Sequence, residues 1–226
     1  MNDQVDCLSF TDLWALLGPD AGGNGTNWSE AEALAEETFE ATGGATGELN
    51  TPYPDAQISI TAPGEESGTF DSFVELVLEA VGDELGVEDV TTTANYQSSG
   101  DDNAIIQGIA GSESSPETLG WVGFAYVEEN LDLVRPLAVD GGEGCVDPTI
   151  DTIASGEYPI ARPLFIYVDA VAAEENAALA AFVDFYLSDE GRASVSEVGY
   201  VDIPDEHWQA TVERWESRTT GSEAGG

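Results

Sequence analysis

Gln57-Ile58-Ser59-Ile60-Thr61-Ala62-Pro63-Gly64-Glu65-Glu66-Ser67-Gly68-Thr69-Phe70-Asp71 is the stretch that decides the architecture. Residues 57–61 alternate and include β-branched side chains, the pattern of a strand that ends just before Pro63. Beyond it, Phe73, Val74, Leu76, Val77, Leu78 and Val81 recur at helical spacing, which predicts a helix over Thr69 to Leu85. Ser67-Gly68-Thr69 is therefore placed on a strand-to-helix turn, at the exposed amino end of a helix. Such an end has unpaired backbone N–H groups and the positive pole of the helix dipole, which together suit an oxyanion. Gly68 permits close approach to the backbone, and the Ser67 and Thr69 hydroxyls add donors. The competing reading is ordinary N-capping by serine or threonine, and a short Ser/Gly motif taken alone does not displace it.

The remaining composition narrows the class. The chain has 226 residues, 42% of them hydrophobic, with a formal net charge of -40. That length supports one large domain or two small lobes with real cores. Lysine is absent, and the five basic residues are Arg135, Arg162, Arg192, Arg214 and Arg218. Forty-five acidic residues run along the whole length, yet the apolar periodicity excludes a disordered acidic chain. An acidic coat on a folded protein suits high salt, where screening shortens to about 3 Å at 1 M, so a salt-loving protein is expected. Nucleic acid and anionic membranes need a basic patch that the sequence lacks. No run reaches the roughly 18 apolar residues of a membrane span, and Met1-Asn2-Asp3-Gln4 is not the start of a signal peptide. Cys7 and Cys145 are compatible with one bridge or with two separate buried thiols, and two cysteines with one histidine make a metal site unfavourable.

In chain order, Ser9 to Gly18 reads as a short capped helix, and Ala21 to Trp28 as a loop with two sequons, at Asn24 and Asn27, attributed to chance. Ser29 to Thr42 reads as an acidic helix. Strands are expected at Val90–Thr93, Leu119–Tyr126 (a buried strand running into a turn), Asp132–Val139 and Leu164–Val168, the last of central type. Helices are expected at Ala104–Ala110, where Ser99 or Asp101 caps, and at Pro148–Ser155, Ala172–Leu187, Asp189–Val198 and Pro204–Arg218. The end, Thr219–Gly226, reads as frayed. Alternating strands and helices indicate a layered α/β fold, and Tyr158-Pro159-Ile160-Ala161-Arg162-Pro163 is the best boundary.

With those segments in place, the chain resembles the phosphate-binding proteins of ABC transporters, in the type II periplasmic-binding-protein class. The resemblance is carried by Gly64–Phe70, Asp101-Asp102-Asn103, Leu119–Tyr126, Tyr158–Val168 and Val198-Gly199-Tyr200-Val201, whose order and spacing cover nearly the whole chain. It implies a periplasmic-binding-protein-like α/β fold: a three-layer α/β/α lobe over residues 1–161, then residues 162–226 returning to a first lobe whose N-terminal half is absent. On this view Met1 is an internal methionine, and the strand Leu164–Val168 lacks neighbours and leaves an apolar edge prone to association. The resemblance assigns Ser67, Gly68, Thr69 and Phe70 to phosphate oxygens, with Phe70 also shielding the site. Glu65 stands in place of the family's acid and Pro63 in place of its arginine, so the grip rests on uncharged donors and the helix dipole.

The resemblance further implies inorganic phosphate as ligand, an ABC permease as partner, no cofactor, a monomer when whole, and an extracytoplasmic setting as a secreted protein or lipoprotein. In that oxidising setting it favours pairing of Cys7 with Cys145. The rival reading is another oxyanion, sulfate, molybdate or tungstate, on the same fold; a third is a non-transport sensory fragment. Enzyme chemistry is disfavoured. Without lysine there is neither P-loop nor Schiff base, and the one histidine, His207, sits in the terminal amphipathic segment as a surface residue.

Overall fold

Residues 5–111 and 117–221 are described in the computed structural model, and the readings made at residues 1–4 and 222–226 lie outside them. The described chain begins with a strand that has no counterpart in the sequence reading, β1 (Cys7–Ser9), whose last residue caps α1 (Phe10–Leu17). Ser9 Oγ accepts from the Asp12 amide at 3.0 Å and the Asp12 carboxylate accepts from the Ser9 amide at 2.8 Å, a reciprocal cap. Every residue of α1 is buried. Asp12 tolerates this because its carboxylate also accepts from Asn50 Nδ2 at 2.8 Å and the Tyr53 hydroxyl at 2.5 Å. Burial, then that neighbouring charge, push the Tyr53 phenol far above its ordinary range. A 3-10 turn (Trp28–Ala31) leads into α2 (Glu32–Thr42), which Gly43 ends in the left-handed conformation.

The alternating run forms β2 (Ser59–Ala62). The helix after it comes in three pieces: α3 (Gly68–Phe73), a π turn (Val74–Leu78) and α4 (Glu79–Leu85). Phe70, Phe73, Val77, Leu78 and Val81 on this helix are buried in the main hydrophobic cluster with α1. β3 (Gln97–Ser98), α5 (Asp102–Ala110) and β4 (Thr118–Leu119) follow. Both β3 and β4 pair parallel with β2, in the order β3-β2-β4. The chain leaves β2 in one direction to reach β3, then crosses back over β2 to reach β4. Right-handed crossovers put the two connecting helices on opposite faces. Accordingly α5 packs on β2 and β4, while the 68–85 helix packs on α1 and α2. The α/β fold expected is present, its strands lying in two three-stranded sheets.

Beside β2, Asn24 acts as a plug in the ladder: its Oδ1 accepts from the Ile60 amide at 2.5 Å and its Nδ2 donates to the Ile60 carbonyl at 3.3 Å. Asn27 caps the 3-10 turn and donates to Asp55 at 2.9 Å. Both sequon amides are thus engaged in the fold.

A helical turn, α6 (Phe124–Glu128), precedes β5 (Ala138–Asp140), β6 (Cys145–Val146) and α7 (Ile150–Ser155). β5 pairs parallel with β1 and antiparallel with β6, forming the second sheet. Cys7 and Cys145 are joined by a disulfide, Cα–Cα 6.1 Å, across its two outer strands. Asp140 is buried, and burial alone would raise its carboxyl. The amides of Glu48, Gly142 and Gly144, at 3.0, 2.8 and 2.8 Å, outweigh that and hold it below its ordinary value.

Several expected strands differ. Val90–Thr93 belongs to no strand, its Thr93 amide donating to the Leu17 carbonyl at 2.9 Å, and it is Gln97–Ser98 that pairs with β2. Of the expected Leu119–Tyr126 strand only Leu119 is strand, as the last residue of β4. Gly120 passes so close to the Thr61 carbonyl that a β-carbon would lie 2.0 Å from it, and the chain then turns into α6. Of Asp132–Val139 only the end is strand, because residues 131–133 form an exposed turn.

The largest difference is Leu164–Val168, which forms no strand: Leu164, Phe165, Ile166 and Tyr167 are exposed, Tyr167 by 83%. A strand needs a neighbour for its N–H and C=O groups, and no described strand pairs with it. Beyond it, Ala172–Leu187 is split into α8 (Ala170–Glu175) and α9 (Ala177–Tyr186) at Asn176, whose side chain caps α9. α10 (Asp189–Glu197) and α11 (Asp205–Glu216) complete the chain. Arg192 joins them through Asp202 at 2.7 Å and Asp205 at 2.8 Å, and Trp215 donates to Asp184 of α9 at 2.7 Å. His207 is exposed on α11. No helix among the described residues is long and apolar enough to cross a membrane.

Candidate functional site

The turn after β2 begins with Tyr96 donating to the Pro63 carbonyl at 2.8 Å and the Ser67 amide donating to the Gly64 carbonyl at 3.0 Å. Ser67 is the N-cap of α3: its Oγ accepts from the Thr69 amide at 3.2 Å, and its carbonyl receives the Asp71 amide at 3.2 Å. The capping reading holds at Ser67, and the cap leaves room for the anion reading. The oxygen is spent on the cap, while the hydroxyl proton is available to point outward. Gly68 and Phe70 carry amides that lie ahead of the first intrahelical bond. Ser67 and Thr69 are partly buried, Gly68 is exposed, and the Phe70 ring is buried in the core, where it anchors the turn from below.

A second helix end lies beside the first. The Ser99 amide donates to the Ala62 carbonyl at 3.0 Å, and Asp101 caps α5 by accepting from the Asn103 amide at 3.0 Å. Two helix amino ends thus meet at the carboxyl end of a parallel sheet, where its connections diverge, the usual place for a ligand in this class of sheet. The Asp101 cap fits the expectation made for that helix.

The electrostatics are unusual for an anion site. Glu65 and Glu66 are exposed at its rim, and the Glu66 carboxylate folds over Gly64 into the space a β-carbon would need. Burial first, then the charges of Glu65 and Glu66 against a lowering bond from Thr92, raise the Tyr96 phenol. Arg135, Arg162 and Arg192 form ion pairs with Asp6, Glu75 and Asp202/Asp205, none of which belongs to the turn. What the turn itself offers an anion is amides, hydroxyls and the two helix poles. Among the described residues no group of histidine, cysteine and carboxylate side chains could hold a metal.

The structure also brings Phe73, Tyr96 and Trp121 together under the turn. The sequence reading did not single them out for the site. The available signal was weak: each is an aromatic residue close to a strand end or helix start.

A PBP superfamily domain matches residues 20–190, most of the chain. The chain belongs to the PBP superfamily. Among its relatives are protein SphX of Synechocystis, 34% identical over 91% of this chain and 52% of that protein, and phosphate-binding protein PstS of Staphylococcus haemolyticus, 31% identical over 72% of this chain and 47% of that one. This PBP chain therefore spans about half the length of these curated relatives. Among solved structures, a possible phosphate binding protein from Planctomyces limnophilus is 27% identical, with a TM-score of 0.71 over 97% of this chain and 67% of that chain. PstS from Borrelia burgdorferi, at 21% identity and TM-score 0.56, shares the PBP fold.

Proposed function

We propose that this chain contributes the anion-gripping lobe of a solute receptor that captures inorganic phosphate and delivers it to an ABC permease. The observation that carries the reading is the Ser67-Gly68-Thr69 helix end at the divergence point of the parallel sheet, open to solvent at Gly68. It is supported by the relatives, which include phosphate-binding proteins. In this role the Gly68 and Phe70 amides and the Ser67 and Thr69 hydroxyls donate to phosphate oxygens. Each charge-assisted bond contributes roughly 1.5–3 kcal/mol, so several must converge to hold a dianion without an arginine. Glu65 shapes the rim and, with Glu66, opposes excess negative charge. Residues 1–161 form this lobe, and 162–226 belong to a second body that the exposed 164–168 ribbon helps to build. The Cys7–Cys145 bridge suits an extracytoplasmic setting. A binding role without catalysis accords with the named relatives, which do not favour sulfate, molybdate or tungstate.

Calorimetry in molar salt with phosphate, sulfate and molybdate tests the reading. Phosphate heat that is lost in the double variant Ser67→Ala/Thr69→Val, with sulfate and molybdate giving little, is the expected result. Equal binding by the parent and the double variant would remove the turn from the site.

A further inference from the structure

Trp121 follows β4, and its ring stacks on Phe73 with centroids 4.4 Å apart and planes at 17°. Phe73 is buried and lies one helical turn beyond Thr69. On another side the same indole meets Tyr96, 5.6 Å away and tilted by 46°. The Tyr96 hydroxyl donates to the Pro63 carbonyl, the residue at which the turn starts. One indole thus contacts aromatic rings attached to both ends of the 63–69 turn. Its own backbone is fixed because Gly120 is pressed against the Thr61 carbonyl of β2.

Simple packing does not explain the choice of side chain. Trp121 Nε1 is buried and has no hydrogen-bond partner among the described residues, a cost that phenylalanine would avoid while keeping a stack. Tryptophan has the larger ring, wide enough to reach Phe73 and Tyr96 together. We infer that Trp121 is a positioning residue for the anion-binding turn, bracing its helix side through Phe73 and its strand side through Tyr96 and the Pro63 carbonyl. The inference rests on the proposed role of Ser67–Phe70, but it concerns the shape of the turn and can be read without ligand.

Two measurements on the full chain separate the claims: amide hydrogen exchange at Ser67, Thr69 and Asp71, whose N–H groups are bonded within the turn, and calorimetry with inorganic phosphate. In Trp121→Ala, exchange at these amides is expected to rise about tenfold and phosphate affinity to fall about tenfold, with α1 amides unchanged. Trp121→Phe is expected to recover part of both, and Tyr96→Phe, which frees the Pro63 carbonyl, to raise exchange at Ser67 and weaken phosphate binding. Turn amides that exchange at the parent rate in Trp121→Ala overturn the inference. If Trp121→Ala loses protection in α1 as well, Tyr96→Phe decides, and parent-like exchange and affinity there overturn it. A parent chain that gives no heat with phosphate sinks the phosphate reading, while the exchange data still decide what Trp121 does.

Discussion

A β-carbon added at Gly68 would meet no protein atom within 4 Å, and the residue does not use the left-handed backbone that only glycine tolerates. Nothing in packing or strain explains glycine there, whereas a ligand approaching the amides does. Gly68→Ala is therefore expected to melt at or slightly above the parent temperature and to bind phosphate at least about tenfold more weakly, read by calorimetry. Asp140 makes a different kind of prediction. Its folded carboxyl is held low by three amides, so its contribution is present above the unfolded value of about 3.9 and is lost as pH falls through the lower folded value. Asp140→Asn should cost about 1–3 kcal/mol near neutrality, and the gap between variant and parent, followed by denaturant unfolding, should close in acid. The residues proposed as donors in the turn are legible because hydroxyl, glycine and position after a strand are all written locally. Trp121 is not, since its partners Phe73 and Tyr96 lie 48 and 25 positions away and only the fold brings them together.

Among the elements, β2 depends on a side chain for part of its ladder. β3 begins opposite Thr61, and Asn24 serves both the N–H and the C=O of Ile60 one residue earlier. Asn24→Ala leaves these buried groups unpaired, and a loss of about 2–3 kcal/mol in urea unfolding is expected; an unchanged midpoint would mean that water replaces the amide. The strand-turn-helix at 57–85 was readable because its period changes from two to 3.6 within a few residues. β1, β3 and β6 were missed because two or three residues carry no period at all. Leu164–Val168 was read as a strand because an apolar, β-branched run states a preference but not a neighbour. The π turn at Val74–Leu78 was likewise invisible, since its apolar residues fit the α period equally well.

For the molecule as a whole, charge and exposed apolar surface pull in opposite directions. A net charge of -40 disfavours the compact state at low ionic strength, so the melting temperature should climb between roughly 0.1 M and 1 M salt as the screening length falls from about 10 to about 3 Å. The same screening exposes Leu164, Phe165, Ile166 and Tyr167 to other copies. Light scattering is expected to show association growing over the same salt range, and a monodisperse monomer in molar salt would argue that the ribbon is covered in solution. The Cys7–Cys145 link makes a covalent ring of residues 7 to 145, with the helices from α7 onward hanging outside it. A protease that nicks the chain once inside the ring leaves a single molecule on a non-reducing gel, and two fragments only after thiol is added. A nick beyond Val146 sheds its tail at once, so the pattern of bands sorts cuts by which side of that knot they fall on.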